Sequence, residues 1–117
     1  MTVNELVQQL NNNPQHTEFS DVIAVIDANY NYQPATFSNG DAVNVAGSNE
    51  GSCKIFAFAQ LNKLDEAQTL ACFGHYYRED VLQHPEGDDH ANIRNFMLSG
   101  WEGVHFESEA LTVRHTR

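Results

Sequence analysis

No lysine or arginine precedes Lys54 in this chain. Six basic residues stand against sixteen acidic ones, giving a formal charge of −10 with histidine neutral. A protein that grips duplex nucleic acid displaces counterions from phosphates with basic side chains, and this chain has too few of them. Anionic membrane surfaces are disfavoured on the same ground. Two cysteines do not make a disulfide framework. A reducing cytosol, with Cys53 and Cys72 as thiols, is the simplest setting. The N-terminus has neither the basic start nor the apolar stretch of a secretory signal. No apolar run approaches membrane-spanning length. Gly-rich phosphate loops, Ser-x-x-Lys and His-Glu-x-x-His strings are also missing. No metal site and no cofactor are expected.

What is present suits one compact domain over residues 1–117, because 41% apolar content supports a core without disulfides or metal. Thr2-Val3-Asn4-Glu5 has capping-box form, and Val3, Leu6, Val7 and Leu10 follow at helical spacing up to Pro14. A second helix begins after Thr17, with an apolar face of Phe19, Val22, Ile23, Ile26 and Tyr30. From Asn31 to Gly51 the periodicity dissolves into a long irregular connection, of the kind that is often functional. Within it Asn39-Gly40 can turn a short β-hairpin near residues 37–43. Alternatively, Tyr30, Tyr32, Phe37 and Val43 simply pin the connection to the core.

The third helix spans about Gly51 to Asn62. Ile55, Phe56, Phe58, Ala59 and Leu61 surround most of its circumference, so it should be central and buried. Asp65 caps a fourth helix reaching about Gln83, with Ala67, Leu70, Ala71, Gly74, Tyr77 and Val81 facing inward. Asp88 or Asp89 caps a fifth, closed by Gly100. Val104-His105-Phe106 alternates like a strand, while Ser108 to Val113 reads as another helical turn. The expected class is therefore mainly α, an all-alpha domain of about five helices with the one hairpin.

Cys53 is the best nucleophile candidate. It follows the turn Asn49-Glu50-Gly51-Ser52 and falls in the first turn of a helix, where unpaired N–H groups and the dipole stabilise a thiolate. His75 or His90 would serve as general base, with Asp88, Asp89 or Asn92 orienting His90. The competing reading is a packed structural thiol under the loop Asn44–Asn49, with Ser52 or Asn49 capping the helix. Cys72, mid-helix beside Phe73, reads as a small packing residue. His75 and Glu79, with His84, Asp88 and His90, are too loosely spaced for a metal motif and fit a solvated helix face better. Arg78, Arg94 and Trp101, beside Tyr76-Tyr77, are the binding candidates. Arginine and aromatic rings together hold planar anions, although in so acidic a chain the arginines also suit internal carboxylates such as Glu79 or Asp80.

Several strings resemble the HopJ type III effector family. They are Asn39-Gly40, Asn49-Glu50-Gly51-Ser52-Cys53-Lys54-Ile55-Phe56-Ala57-Phe58, Thr69-Leu70-Ala71-Cys72-Phe73-Gly74-His75-Tyr76-Tyr77-Arg78, Asp89-His90-Ala91-Asn92-Ile93-Arg94-Asn95-Phe96-Met97 and Gly100-Trp101. Together they span roughly residues 19–111. The resemblance implies a small bacterial protein, resident in the cytoplasm and delivered into host cells by a type III apparatus. It implies no reaction. Two functional readings follow: a non-enzymatic interaction protein that engages a protein partner, and a small thiol-dependent hydrolase or transferase using Cys53. The oligomeric state is not legible in the residues.

Overall fold

The computed structural model describes residues 1–114. Helix α1, Val3–Asn12, starts on the expected capping box: the Glu5 N–H donates to Thr2 Oγ1 at 3.0 Å and the Thr2 N–H donates to Glu5 Oε1 at 2.7 Å. The bond from the Thr2 backbone holds the Glu5 carboxyl below its ordinary pKa. Leu6 and Leu10 are its buried residues, and a 3-10 turn at Pro14–His16 carries the chain into α2, Phe19–Asn29.

Tyr30 belongs to no helix. It opens strand β1, Tyr30–Tyr32, which pairs antiparallel with the last strand, β5, Leu111–Val113. Strands β2, Phe37–Asn39, and β3, Ala42–Asn44, form the hairpin that Asn39-Gly40 announces, with Gly40 at φ 61°. Strand β4, Val104–Phe106, adds to the far side of β2, so this sheet runs β3-β2-β4. The all-alpha expectation is thus corrected: the domain is mixed, with five α-helices and two small antiparallel sheets among the described residues. The reason is non-local. Each strand has three residues, too few to show a period-two alternation, and both sheets join the 30–44 region to the 104–113 region. Val43, read as an anchor, points to solvent at 70% exposure.

Helix α3, Glu50–Leu61, occupies the centre. Cys53, Ile55, Phe56, Ala57, Phe58 and Ala59 are buried, and only Leu61, at its end, lies open against expectation. The Phe56 ring packs against Phe37, Phe73, Phe96 and Trp101 at centroid distances of 5.1 to 6.2 Å. Four aromatic rings from four segments therefore converge on one side chain.

The fourth expected helix is broken. Helix α4 covers only Glu66–Ala71, capped by Asp65 as the sequence indicates, and Ala67 faces solvent. A π-helical segment, Tyr76–Val81, follows. The break falls at Gly74, which sits at φ 60° with its Cα against the α2 entry. A Cβ there would lie 2.7 Å from the Phe19 backbone nitrogen. That close approach and the left-handed backbone both require glycine. Helix α5, Ala91–Ser99, is not capped by Asp88 or Asp89. His90 holds the cap position in a left-handed conformation, and Gly100 ends the helix at φ 61°. A 3-10 turn, Gly100–Gly103, leads into β4.

Candidate functional site

A cleft of about 510 Å³ opens between β3, the start of α3 and the start of α5. Ala42, Val43 and Asn44 form one wall. Asn49, Gly51 and Ser52 from α3 and His90, Ala91, Asn92 and Ile93 from α5 form the opposite side, with the rings of Phe19, Phe73 and Tyr76 at one end.

Each wall has a physical peculiarity. Strand β3 is an edge strand, because β2 lies on one side of it only. In the hairpin the Asn39–Ala42 and Phe37–Asn44 pairs face each other across the ladder. The β2–β4 side settles which pairs exchange bonds: the Glu107 N–H donates to the Thr36 carbonyl and the Gly40 N–H donates to the Gly103 carbonyl. Ser38 therefore bonds toward β4, and the Ser38–Val43 pair is the non-bonded one in the hairpin. The N–H and C=O of Val43 consequently point outward along the free edge.

The other wall consists of two helix starts. Asn49 and His90 both have left-handed backbones, at φ 50° and 52°. Neither side chain caps its helix. Asn49 was one of the two residues expected to cap α3, but its Nδ2 donates instead to Asn44 Oδ1 at 2.7 Å. The first-turn N–H groups at Gly51, Ser52, Ala91 and Asn92 thus have no capping side chain, and two positive dipole ends meet at one cleft. Among the described residues no Asp, Glu, Lys or Arg lines it.

Beneath the cleft lies an asparagine cluster. Asn44 Nδ2 donates to Asn92 Oδ1 at 3.1 Å, and Asn92 Nδ2 donates to Asn44 Oδ1 at 3.0 Å. Asn39 Nδ2 donates to the Asn92 carbonyl at 2.8 Å, and Asn95 Nδ2 donates to the Asn39 carbonyl at 3.1 Å. Asn39, Asn44 and Asn92 are buried. Buried amides persist when their donors and acceptors are paired, and these are paired mostly with one another. The cluster fixes the hairpin to α3 and α5 and so sets the width of the cleft. Sequence reasoning missed it. Asn92 entered only as a histidine partner, and Asn39 only as a turn residue. No local pattern joins residues this far apart.

Cys53 lies on the other side of the same α3 turn. It is 1% exposed, and its Sγ sits 3.8 Å from the Ala35 carbonyl oxygen. Burial raises its thiol pKa, outweighing the Ala35 bond and the neighbouring Tyr32 hydroxyl. Tyr32 is pushed up as well, by burial and by Glu50. Ala35 and Tyr32 thus form part of the cover over Cys53. No hydrogen bond joins Cys53 to a histidine among the described residues. The two histidines instead flank Tyr76, with ring centroids 4.3 Å away for His75 and 5.2 Å for His90. His90 Nε2 meets Asp80 Oδ2 at 3.0 Å, and His75 Nδ1 lies 3.9 Å from Glu18 Oε2. Only His90 lines the cleft. Among the described residues, no three His, Cys, Asp or Glu side chains are grouped to hold a metal ion.

The binding candidates have separate partners. Arg78 donates to the Thr17 carbonyl at 2.8 Å and to Glu18 at 3.2 Å, tying the π-helical segment to the α2 entry. Arg94 donates to Asp89 Oδ1 at 2.6 Å and to the carbonyls of Asp89 and His84, holding the turn before α5. That contact depresses the Asp89 pKa. Trp101 Nε1 donates to the Leu64 carbonyl at 3.2 Å, and its ring packs on Phe56 and Phe96.

The family model for the HopJ type III effector protein matches residues 3–111, nearly the whole chain. The chain belongs to the HopJ family. Its fold matches a solved crystal structure of a protein of unknown function, VPA0580, with a TM-score of 0.96 and 54% identity over 97% of this chain and 95% of that one. No curated protein gives a significant match. Among the described residues no helix is long and apolar enough to cross a membrane.

Proposed function

We propose that this HopJ protein is a non-enzymatic interaction protein and that the cleft between β3 and the starts of α3 and α5 receives a segment of its protein partner. The observation that carries the reading is the outward-facing edge of β3 forming one wall of that cleft. An extended segment adds to such an edge through main-chain bonds, here to the N–H and C=O of Val43. Its opposite side meets the uncapped N–H groups of α3 and α5, which suit a carbonyl or carboxylate oxygen. Phe19, Phe73 and Tyr76 supply apolar area for a side chain.

The thiol alternative draws less support. A nucleophilic cysteine needs exposure and a lowered pKa, and Cys53 has burial and a raised one. The acidic surface favours a protein partner over nucleic acid. The family description supports delivery by a type III apparatus, which a secretion assay with a reporter fused to the full chain tests.

The cleft reading is tested by selecting a library of displayed random peptides on the wild-type protein and comparing binding to Ala91→Trp, which fills the cleft from an exposed position. A shared motif with micromolar affinity, lost in Ala91→Trp, is expected. Selected peptides that bind both proteins equally, or no enrichment at all, would overturn the reading.

A further inference from the structure

The other end of α5 carries a second surface. Val81, Leu82, Pro85, Met97 and Leu98 line a groove of about 340 Å³ between the end of the π-helical segment and the last turns of α5, with Arg94 at its margin. Leu82 is 47% exposed, Met97 44% and Leu98 86%. Three large apolar side chains clustered in the open is more than scattered surface leucines.

Acidic residues adjoin this groove in the chain: Glu86 and Asp88 stand on either side of Gly87, which lines it. Both are exposed and have no ion pair among the described residues. Among the described residues the one cation lining the groove, Arg94, is consumed by Asp89 and three backbone carbonyls. The C-terminal turn of α5, where Leu98 sits, has no basic residue, so the negative end of its dipole adds to the same field. A second copy of this chain would bring a further −10 against the same acidic residues. An apolar floor between helical walls, with unpaired carboxylates on either side of Gly87, complements one kind of surface.

We propose that this groove docks a basic amphipathic helix of a protein partner, with apolar anchors against Leu82, Met97 and Leu98 and lysines or arginines facing Glu86 and Asp88. The site is separate from the β3 cleft and does not depend on it. Apolar anchors supply the affinity, and the carboxylates supply orientation and exclude acidic or neutral helices.

The test uses a labelled peptide of about 15 residues, long enough to hold a helix, made of leucine and lysine in an amphipathic pattern. Two controls share its length: a leucine–glutamate peptide, and a lysine–serine peptide of equal charge without the apolar face. Fluorescence anisotropy at physiological salt should show saturable binding of the first at least about tenfold tighter than either control. Leu98→Ser with Met97→Ser should weaken it by about tenfold at unchanged charge. Glu86→Gln with Asp88→Asn should weaken it less and flatten the salt dependence. Val45→Ser, an exposed apolar side chain that lines neither the groove nor the cleft, should change nothing. Equal binding of the lysine–serine peptide would reduce the effect to bulk charge and overturn the proposal. So would unchanged binding in the folded leucine and methionine variants. Concentration-dependent dimerisation of the wild type that Leu98→Ser abolishes would assign the groove to a second copy instead.

Discussion

The first turn of α3 has two sides, and they differ in kind. On one, Asn49, Gly51 and Ser52 face an open cleft with uncapped N–H groups and no ionic side chain. On the other, one residue further along, Cys53 is closed under Ala35 and Tyr32 with its pKa raised. The same dipole and the same glycine-containing turn serve both. A residue's chemistry at a helix start is therefore decided by the side of the turn that it occupies, which depends on what packs there. The cysteine has the reactive side chain and no access. Asn49 and the backbone amides have access and no reactive group, which suits the binding role proposed for the cleft.

The largest way to break this contrast is to loosen the sealed side. Phe56→Ala removes the ring on which Phe37, Phe73, Phe96 and Trp101 converge. It should cost about 3–5 kcal/mol by chemical denaturation. A loss below about 1 kcal/mol would mean that the core collapses around the gap and that Phe56 is not its centre. Next comes Gly74→Ala, which presses a Cβ against the Phe19 backbone and so against one wall of the cleft. The left-handed backbone alone should cost about 1–3 kcal/mol.

The asparagine cluster gives a graded test. Asn92→Ala leaves buried amide groups of Asn39 and Asn44 short of partners and should cost about 1–3 kcal/mol. Asn49→Ala, at the exposed end of the same chain of bonds, should cost no more than about 1 kcal/mol. Equal losses would show that the cluster does not depend on burial. The smallest expected effect concerns pH. Burial pushes the Cys72 thiol from its ordinary 9.0 up to about 12. The folded state thus holds a proton that the unfolded chain releases first. Its stabilising contribution is complete below pH 9 and is lost as pH rises toward 12. Thermal midpoints should fall above pH 9, and fall less steeply in Cys72→Ala.

Much of the fold is legible in the residues, because local chemistry and tertiary packing agree there. The Thr2 capping box, the Asp65 cap, the all-round apolar α3 and the Asn39-Gly40 turn are cases of this kind. What is not legible is whatever packing imposes from a distance. Leu70 to Val81 keeps a helical period, yet Gly74 meets the α2 entry and the helix breaks. Tyr30 continues the α2 stripe, yet pairing with Val113 draws it into a strand. The candidate site was legible only in outline. The turn before Cys53 does lead to the cleft, but the asparagines that shape it lie on β2, β3 and α5 and carry no shared motif.

Thiol labelling of the native protein tests the two sides of the α3 turn most directly. With a small alkylating probe at neutral pH, and Cys53→Ser as the control, Cys53 should remain unmodified until the protein is unfolded. Modification should then appear together with that of Cys72. Rapid labelling of Cys53 alone in the folded state would show a reachable thiolate, and would contradict the assignment of this turn to binding rather than catalysis.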